Sequence, residues 1–428
     1  MTRGRRNDRP ASGPEEKHSR TRRIGSMKKV VTLFLLLFSI LICGFASADT
    51  APDLTKECKF RAASGNGSFK NALDRKYKSY WQSGNGNNAA VTVTLPKGKT
   101  ASGVAVKWYE HTHAWCVQIK DENGEWVSCG ETEGLYYSEY LPLPDGTSSF
   151  RIANPAGISN RMAIAEVYVY GEGTLPAEVQ QWEPPVEKAD LLLIVAHPDD
   201  EVLWFGGTLP TYAGEYQMDT QVCMMVPTLP RRRLELLDGL WTCGVRNYPV
   251  WANYPDKFAS TLSKMYTKWK KDNVYKTIVG WIRRFKPEVL LSHDVYGEYG
   301  HGAHRVCADA CIHTLSMAAD KTKYPESAEE YGVWDVPKTY LHLYKEGVLD
   351  MDWRQPLSMF DGKTGFDVAC EAFACHVSQQ ATDYHVEDWG PYDNSLFGLV
   401  RSLVGEDVNK NDFFENLSCA PFIIEMEE

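Results

Sequence analysis

A chain of 428 residues, 43% apolar and 24% charged, is long enough for two domains with cores of their own and too apolar to stay unfolded. Its formal net charge is −10, and ten of its basic side chains lie before Val30, so the chain beyond that point is more acidic still. That balance argues against nucleic acid and polyanions as partners and leaves neutral glycans open.

The chain opens on a basic preface. From Met27, Lys28-Lys29 lead into an uncharged apolar run, Val30 to Cys43, and then into Ala46-Ser47-Ala48 before Asp49. That order predicts a secretory signal peptide, starting at Met27 and cleaved after Ala48, and hence a secreted, extracellular protein. The apolar run is shorter than the roughly 20 residues a spanning helix needs. Ile42 stands before Cys43 where a lipoprotein needs a small residue.

Residues 51–173 alternate apolar and polar side chains in short runs, Val91–Leu95, Val104–Trp108, Cys116–Ile119 and Val167–Tyr170, separated by Gly, Asn, Pro and Asp turns. The alternation predicts an all-β sandwich. Ten cysteines lie beyond the signal peptide without a tight Cys-x-x-Cys framework, and Cys116 with Cys129, flanking a hairpin, are the best disulfide pair. Trp108 to Trp115, with His111 and His113, offers aromatic and imidazole groups to a sugar, or packs a strand end. Residues 174–188, acidic and proline-bearing, read as a semi-rigid linker.

From residue 189 the period changes. Strands at Leu191–Val195, Thr220–Val226 and Val289–Ser292 alternate with helices after Phe205, from about Arg231 to Cys243, from Lys276 to Phe285 and from His304. This predicts a Rossmann-like α/β domain, its parallel sheet covered on both faces. No Gly-x-Gly-x-x-Gly turn follows its first strand, which counts against a dinucleotide.

The densest chemistry sits where that first strand stops, in His197-Pro198-Asp199-Asp200-Glu201. Consecutive carboxylates repel one another unless a cation neutralises them, and imidazole with carboxylate is a zinc-type donor set. After the Val289 strand, a glycine-punctuated loop leads to His301 and His304, three apart on one helix face, and either completes a site of three protein ligands. His293 reads as a structural histidine, and Glu201 as a residue that orients a ligand or caps a helix. Gly206 and Gly207 read as points of close backbone approach, and Cys307 and Cys311 as core.

Together these segments resemble the PIG-L, or LmbE-like, zinc-dependent N-deacetylases, whose signature is His-Pro-Asp-Asp-Glu followed much later by His-x-x-His. Arg232-Arg233-Leu234-Glu235 and Gly244-Val245 match a further helix of that family, and the resemblance covers about 189–428. It implies one zinc ion (Zn2+), with ferrous iron (Fe2+) as the alternative, on His197, Asp200 and His304. It also implies Asp199 as general base, His301 as oxyanion stabiliser and Arg232 as substrate contact. His376-Val377-Ser378-Gln379 matches a segment common in the family, read as substrate contact or as packing. The earlier part resembles a discoidin, or factor V/VIII type C, domain through Leu73-Asp74, Tyr80–Ser83, Gly124-Glu125-Trp126, Phe150-Arg151-Ile152 and Ala165–Gly171. That implies a carbohydrate-binding jelly-roll sandwich of galactose-binding-like fold, with Trp81 and Trp126 in its core and room for calcium (Ca2+) near Asp74.

The expected fold is therefore multidomain: 1–48 basic preface and signal peptide, 51–173 all-β jelly-roll sandwich, 174–188 linker, 189–428 α/β Rossmann-like LmbE-type deacetylase domain. The expected function is a secreted zinc hydrolase that removes N-acetyl or other small acyl groups from amino sugars in a carbohydrate polymer or glycoconjugate. Two alternatives stay open: a secreted glycan-binding protein with an inactive metal domain, and an amidase acting on a non-sugar amide.

Overall fold

The computed structural model describes residues 49–65, 68–84, 89–110, 113–226 and 229–421. The expected signal peptide and His111 lie outside them. From Ala51 onward the chain is one compact unit.

Its first part is built from β1 (Lys59–Ala62), β2 (Trp81–Gln82), β3 (Ala90–Thr94), β4 (Ala101–Trp108), β5 (Trp115–Lys120), β6 (Trp126–Thr132), β7 (Ser138–Thr147), β8 (Ser149–Ala153) and β9 (Ala163–Tyr170). They form two antiparallel sheets, β1-β3-β8-β5-β6 and β2-β9-β4-β7. Val91, Val93, Val117 and Phe150 of one sheet meet Val104, Val106, Ile164 and Val167 of the other in a shared core. Alternate residues of a strand face alternate sides, and in β4 and β9 the second face is covered as well, burying Lys107 and Glu166.

Trp81 is in that core, but Trp126 is not: it lies half-buried on β6 with the Arg151 guanidinium 4.1 Å from its ring centre. The expected Cys116–Cys129 pairing is also corrected, since both thiols are free. Val117 faces Gly130 and Gln118 faces Ser128, which leaves Cys129 as the extra residue of a bulge, its thiol 3.5 Å from the Val117 carbonyl. Near the expected calcium site, the Asp74 carboxylate accepts the Lys76 N–H at 3.0 Å and the Ser79 hydroxyl at 2.7 Å. Among the described residues, no metal-spaced group of side chains includes it.

The second part runs β10 (Leu191–Val195), α1 (Asp200–Leu203), β11 (Thr220–Met224), α2 (Pro230–Thr242), β12 (Val250–Trp251), α3 (Leu262–Trp269), α4 (Lys271–Phe285), β13 (Val289–Ser292), α5 (Gly302–Ala319), α6 (Pro325–Tyr331), β14 (Lys338–His342), β15 (Val348–Asp350), α7 (Gly365–Cys375) and β16 (Leu396–Ser402). The sheet order is β12-β11-β10-β13-β14-β16-β15, parallel from β12 to β14 and closed by two antiparallel strands. Leu191, Leu193 and Val195 pack towards α2 and α7, while Leu192 and Ile194 pack towards α4 and α5 with Cys307 and Cys311. A strand buried on both faces has to be apolar throughout, and β10 is. The helix expected after Phe205 is present as a π-helical segment, Pro210–Glu215, and the single turn α1 precedes it.

Two further features frame the site. Residues 174–188 are packed, burying Val179, Gln180, Trp182 and Val186, with the Trp182 ring 5.2 Å from Trp241. In β14 the wholly buried Lys338 gives its ammonium to Asp407 and to the Glu415 carbonyl, and the Tyr340 hydroxyl meets the other Asp407 oxygen at 2.6 Å. Among the described residues no helix is long and apolar enough to cross a membrane.

Candidate active site

The carboxyl ends of β10 and β13, adjacent in the sheet, bring the two histidine segments together. Asp199 has a φ of 115°, a conformation L-residues avoid, and it is over-determined by its neighbours. Its N–H donates to Glu201 Oε2 at 2.8 Å, its carbonyl accepts the Leu203 N–H at 2.9 Å, and its carboxylate lies 3.1 Å from Arg232 Nη2. Arg232 donates as well to the Pro198 carbonyl, and Glu201 accepts from His376 Nε2 at 2.7 Å. Burial first, then the Asp200 charge, raises Asp199 above the usual carboxylate range, against the pull of Arg232.

Asp200 is the meeting point of the donors. Its Oδ1 is 3.2 Å from His304 Nε2, and its Oδ2 is 3.3 Å from His197 Nδ1 and accepts the His197 N–H at 2.6 Å. Ligand atoms bound at about 2.0–2.1 Å around a tetrahedral ion stand roughly 3.3 Å apart, so this spacing fits a zinc-type cation. His304 Nε2 is buried and makes no hydrogen bond. Burial alone would lower the proton affinity of His304, but Asp200 and Glu298 reverse this and raise its pKa to about 10: the site calls for positive charge at this point. His197, His301 and His304 form one metal-spaced group, and Asp200, His293 and His304 another.

Hydrogen bonds sort these candidates. His304 Nδ1 lies 2.7 Å from Glu298 Oε2, which fixes its proton there and leaves the Nε2 lone pair for a metal. His293 is wholly buried, and its Nε2 already accepts the Ala196 N–H at 3.1 Å while Nδ1 meets Glu298 at 2.9 Å, so it serves as a structural residue. His301 caps α5, its Nδ1 accepting the Ala303 N–H at 3.3 Å, which places its proton on Nε2. Burial and the flanking imidazoles of His304 and His197 push its pKa down to about 3, so His301 offers a neutral N–H rather than a charge.

Two participants have no mark in the sequence. Glu298, wholly buried, accepts from His293, His304, His342 Nδ1 at 2.7 Å and the Asp294 N–H at 3.1 Å. His342, from the end of β14, reaches on to the Asp393 carbonyl at 2.9 Å. The only outward hint is an acid enclosed between Gly297 and Gly300, where an added Cβ at Gly297 would stand 2.4 Å from the His301 carbonyl oxygen.

His197, Asp199, Asp200, His301 and His304 thus share one cluster. Arg232, expected as a substrate contact, joins it with Nη2 on Asp199 and on the Pro198 carbonyl. Glu201 and His376 stand behind Asp199, and Ser378 bonds Glu235 of α2 through its N–H at 3.0 Å and its hydroxyl. Gly206 and Gly207 are close approaches as expected: added Cβ atoms would meet the Asn394 side chain at 2.5 Å and Trp353 at 2.3 Å. At the rim, the exposed Phe258 ring lies 5.3 Å from His301, and Tyr299, stacked on Tyr384 at 4.4 Å, lies 5.6 Å from it.

Residues 192–315 match the sequence profile of the family described as PIG-L: GlcNAc-PI de-N-acetylase. The chain is 30% identical over 194 residues to 1D-myo-inositol 2-acetamido-2-deoxy-alpha-D-glucopyranoside deacetylase 1 of Catenulispora acidiphila, covering 39% of this chain but only 59% of that relative. It is 28% identical over 292 residues to the corresponding deacetylase of Rhodococcus erythropolis, covering 53% of this chain and 97% of the other. Among solved structures, N,N'-diacetylchitobiose deacetylase from Pyrococcus horikoshii aligns at a TM-score of 0.35 and 19% identity, over 47% of this chain and 75% of that one, too slight a likeness to carry weight. Residues 192–315 thus carry a PIG-L deacetylase domain, and that stretch holds His197, Asp199, Asp200, Arg232, Glu298, His301 and His304, while His342 and His376 lie beyond it.

Proposed function

We propose that this chain is an exported, metal-dependent hydrolase that removes N-acetyl or other small acyl groups from amino sugars in a glycan or glycoconjugate. The observation that carries the reading is the convergence of His197, Asp200 and the unbonded His304 Nε2 beside the strained, Arg232-held Asp199. Support for the substrate class comes from relatives named for acetamido sugars.

His197, Asp200 and His304 would hold the cation. When bound, a zinc-type ion supplies Lewis acidity that polarises the acyl oxygen and acidifies water. Asp199, raised in pKa yet bound to Arg232, takes a proton from the attacking water and returns it to the leaving nitrogen, so the amide is split into acetate and amine. His301 donates its Nε2–H to the acyl oxygen as negative charge builds there. Phe258 and Tyr299 give a sugar ring apolar surface beside His301.

Acetate release from N-acetylglucosamine-containing oligosaccharides and polymers, with zinc, with chelator and with Asp199→Asn, tests this. Release that needs both metal and Asp199 supports it. Metal bound at one ion per chain with no release from any acetylated sugar overturns it.

A further inference from the structure

Helix α2 has two working faces. The inner one serves the site: Arg232 meets Asp199, Glu235 is bonded by Ser378, and Gly239 lies so close to His376 that an added Cβ would stand 3.0 Å from its Nε2. The outer one is held from outside the sheet that bears the site. The Asp238 carboxylate accepts from Lys107 Nζ on β4, from the Tyr77 hydroxyl at 2.6 Å and from Gln180 Nε2 at 2.7 Å. One residue from Arg232, the Arg233 guanidinium lies 4.1 Å from the Tyr137 ring centre. The Trp241 indole N–H donates to the Ala177 carbonyl at 2.7 Å, and Tyr248 accepts the Tyr137 N–H at 3.0 Å.

Lys107 and Asp238 are 10% and 23% exposed, so this ion pair is largely sheltered from solvent. Removing one partner of such a pair leaves an uncompensated charge in a dry interface, and a helix relieves it by moving towards water. A module that merely tethers an enzyme to its polymer has no need of such contacts.

We propose that the β-rich part works on the active site through α2, with Asp238 as the anchor and Lys107 and Tyr77 as positioning residues that keep Arg232 Nη2 against Asp199. The role assigned to Asp199 rests on the proposed function; the mechanical link does not.

The test is amide hydrogen exchange on the full chain carrying Lys107→Met or Tyr77→Phe. The second variant removes one hydroxyl and keeps the ring, so it decides the matter if the first does not fold. Exchange should rise on the order of tenfold in residues 230–242 and in the turn 199–203, with β3, β5 and β8 unchanged. A rise confined to residues 77–107, with 199–203 as in the parent, overturns the proposal. On a soluble acetylated disaccharide kcat should fall on the order of tenfold at constant KM, whereas a loss seen only as a higher KM on polymers also overturns it. If the parent chain releases no acetate, the proposed function fails, and the exchange pattern still decides the brace.

Discussion

The 2.7 Å contact between Glu298 Oε2 and His304 Nδ1 decides which nitrogen of His304 faces Asp200. A carboxylate that accepts from three histidines and a backbone N–H cannot be replaced by an amide without losing acceptors. Glu298→Gln should therefore weaken metal binding by about 10- to 100-fold. Competition against a chromogenic chelator measures it, and an unchanged affinity would remove Glu298 from the site's working parts.

Asp199 and His304 should separate chemistry from metal binding. Asp199→Asn should lower turnover by about 10²- to 10⁴-fold with the metal retained, whereas His304→Ala should lose both. Metal content and acetate release on the same preparations give the answer; normal turnover by the Asn variant would strip Asp199 of its role as base.

Arg232 Nη2 makes both contacts, to Asp199 and to the Pro198 carbonyl, so Arg232→Lys keeps the charge and loses the planar guanidinium that holds that nitrogen in place. The expected signature is a kcat lower by roughly 10-fold at near-constant KM, because the contact is with the base and is felt in the transition state. A rise in KM alone would return Arg232 to the substrate-contact role first expected of it.

Glu166 predicts an unusual pH dependence. Its carboxylate is wholly buried in β9, one oxygen accepts the Lys76 N–H at 3.0 Å, the other has no hydrogen bond, and burial pushes its pKa up to about 7. Between the ordinary glutamate value of about 4.3 and that raised value, the folded chain holds a proton the unfolded chain has lost. Its contribution to stability therefore falls as pH rises through this window, the reverse of a salt-bridged acid. Glu166→Gln should narrow the difference in Tm between about pH 5 and about pH 8, read by thermal denaturation; a difference as wide as the parent's would contradict it.

What could be read from sequence was local. An apolar strand broken by Pro198, and two histidines three apart at a helix start, carry their meaning within a few residues. Glu298 does not, because a glutamate between glycines looks solvated until β14 brings His342 over it. Three successive arginines hide which one faces inward, and the rotation of α2 that points Arg232 at Pro198 is set by packing on both sides. Period-two alternation names strands without placing each residue: Trp81 went to the core and Trp126 to a half-exposed face, while a bulge set Cys129 apart from Cys116. The contacts of residues 174–188 were equally hidden, since an acidic, proline-bearing composition gives no sign that Trp182 is buried.

Lys338 has a consequence for how the molecule comes into being. β14 lies beside β13, and the ammonium it buries finds its counter-charge in Asp407, 69 residues further along the chain. A charge so enclosed is costly to leave alone, so β14 has no stable place in a nascent chain that has not yet reached Asp407. His342 ends that strand, and Glu298 depends on His342. β10 and β13 pair directly, so what depends on the distal segment is the hold of His342 on Glu298 behind His304.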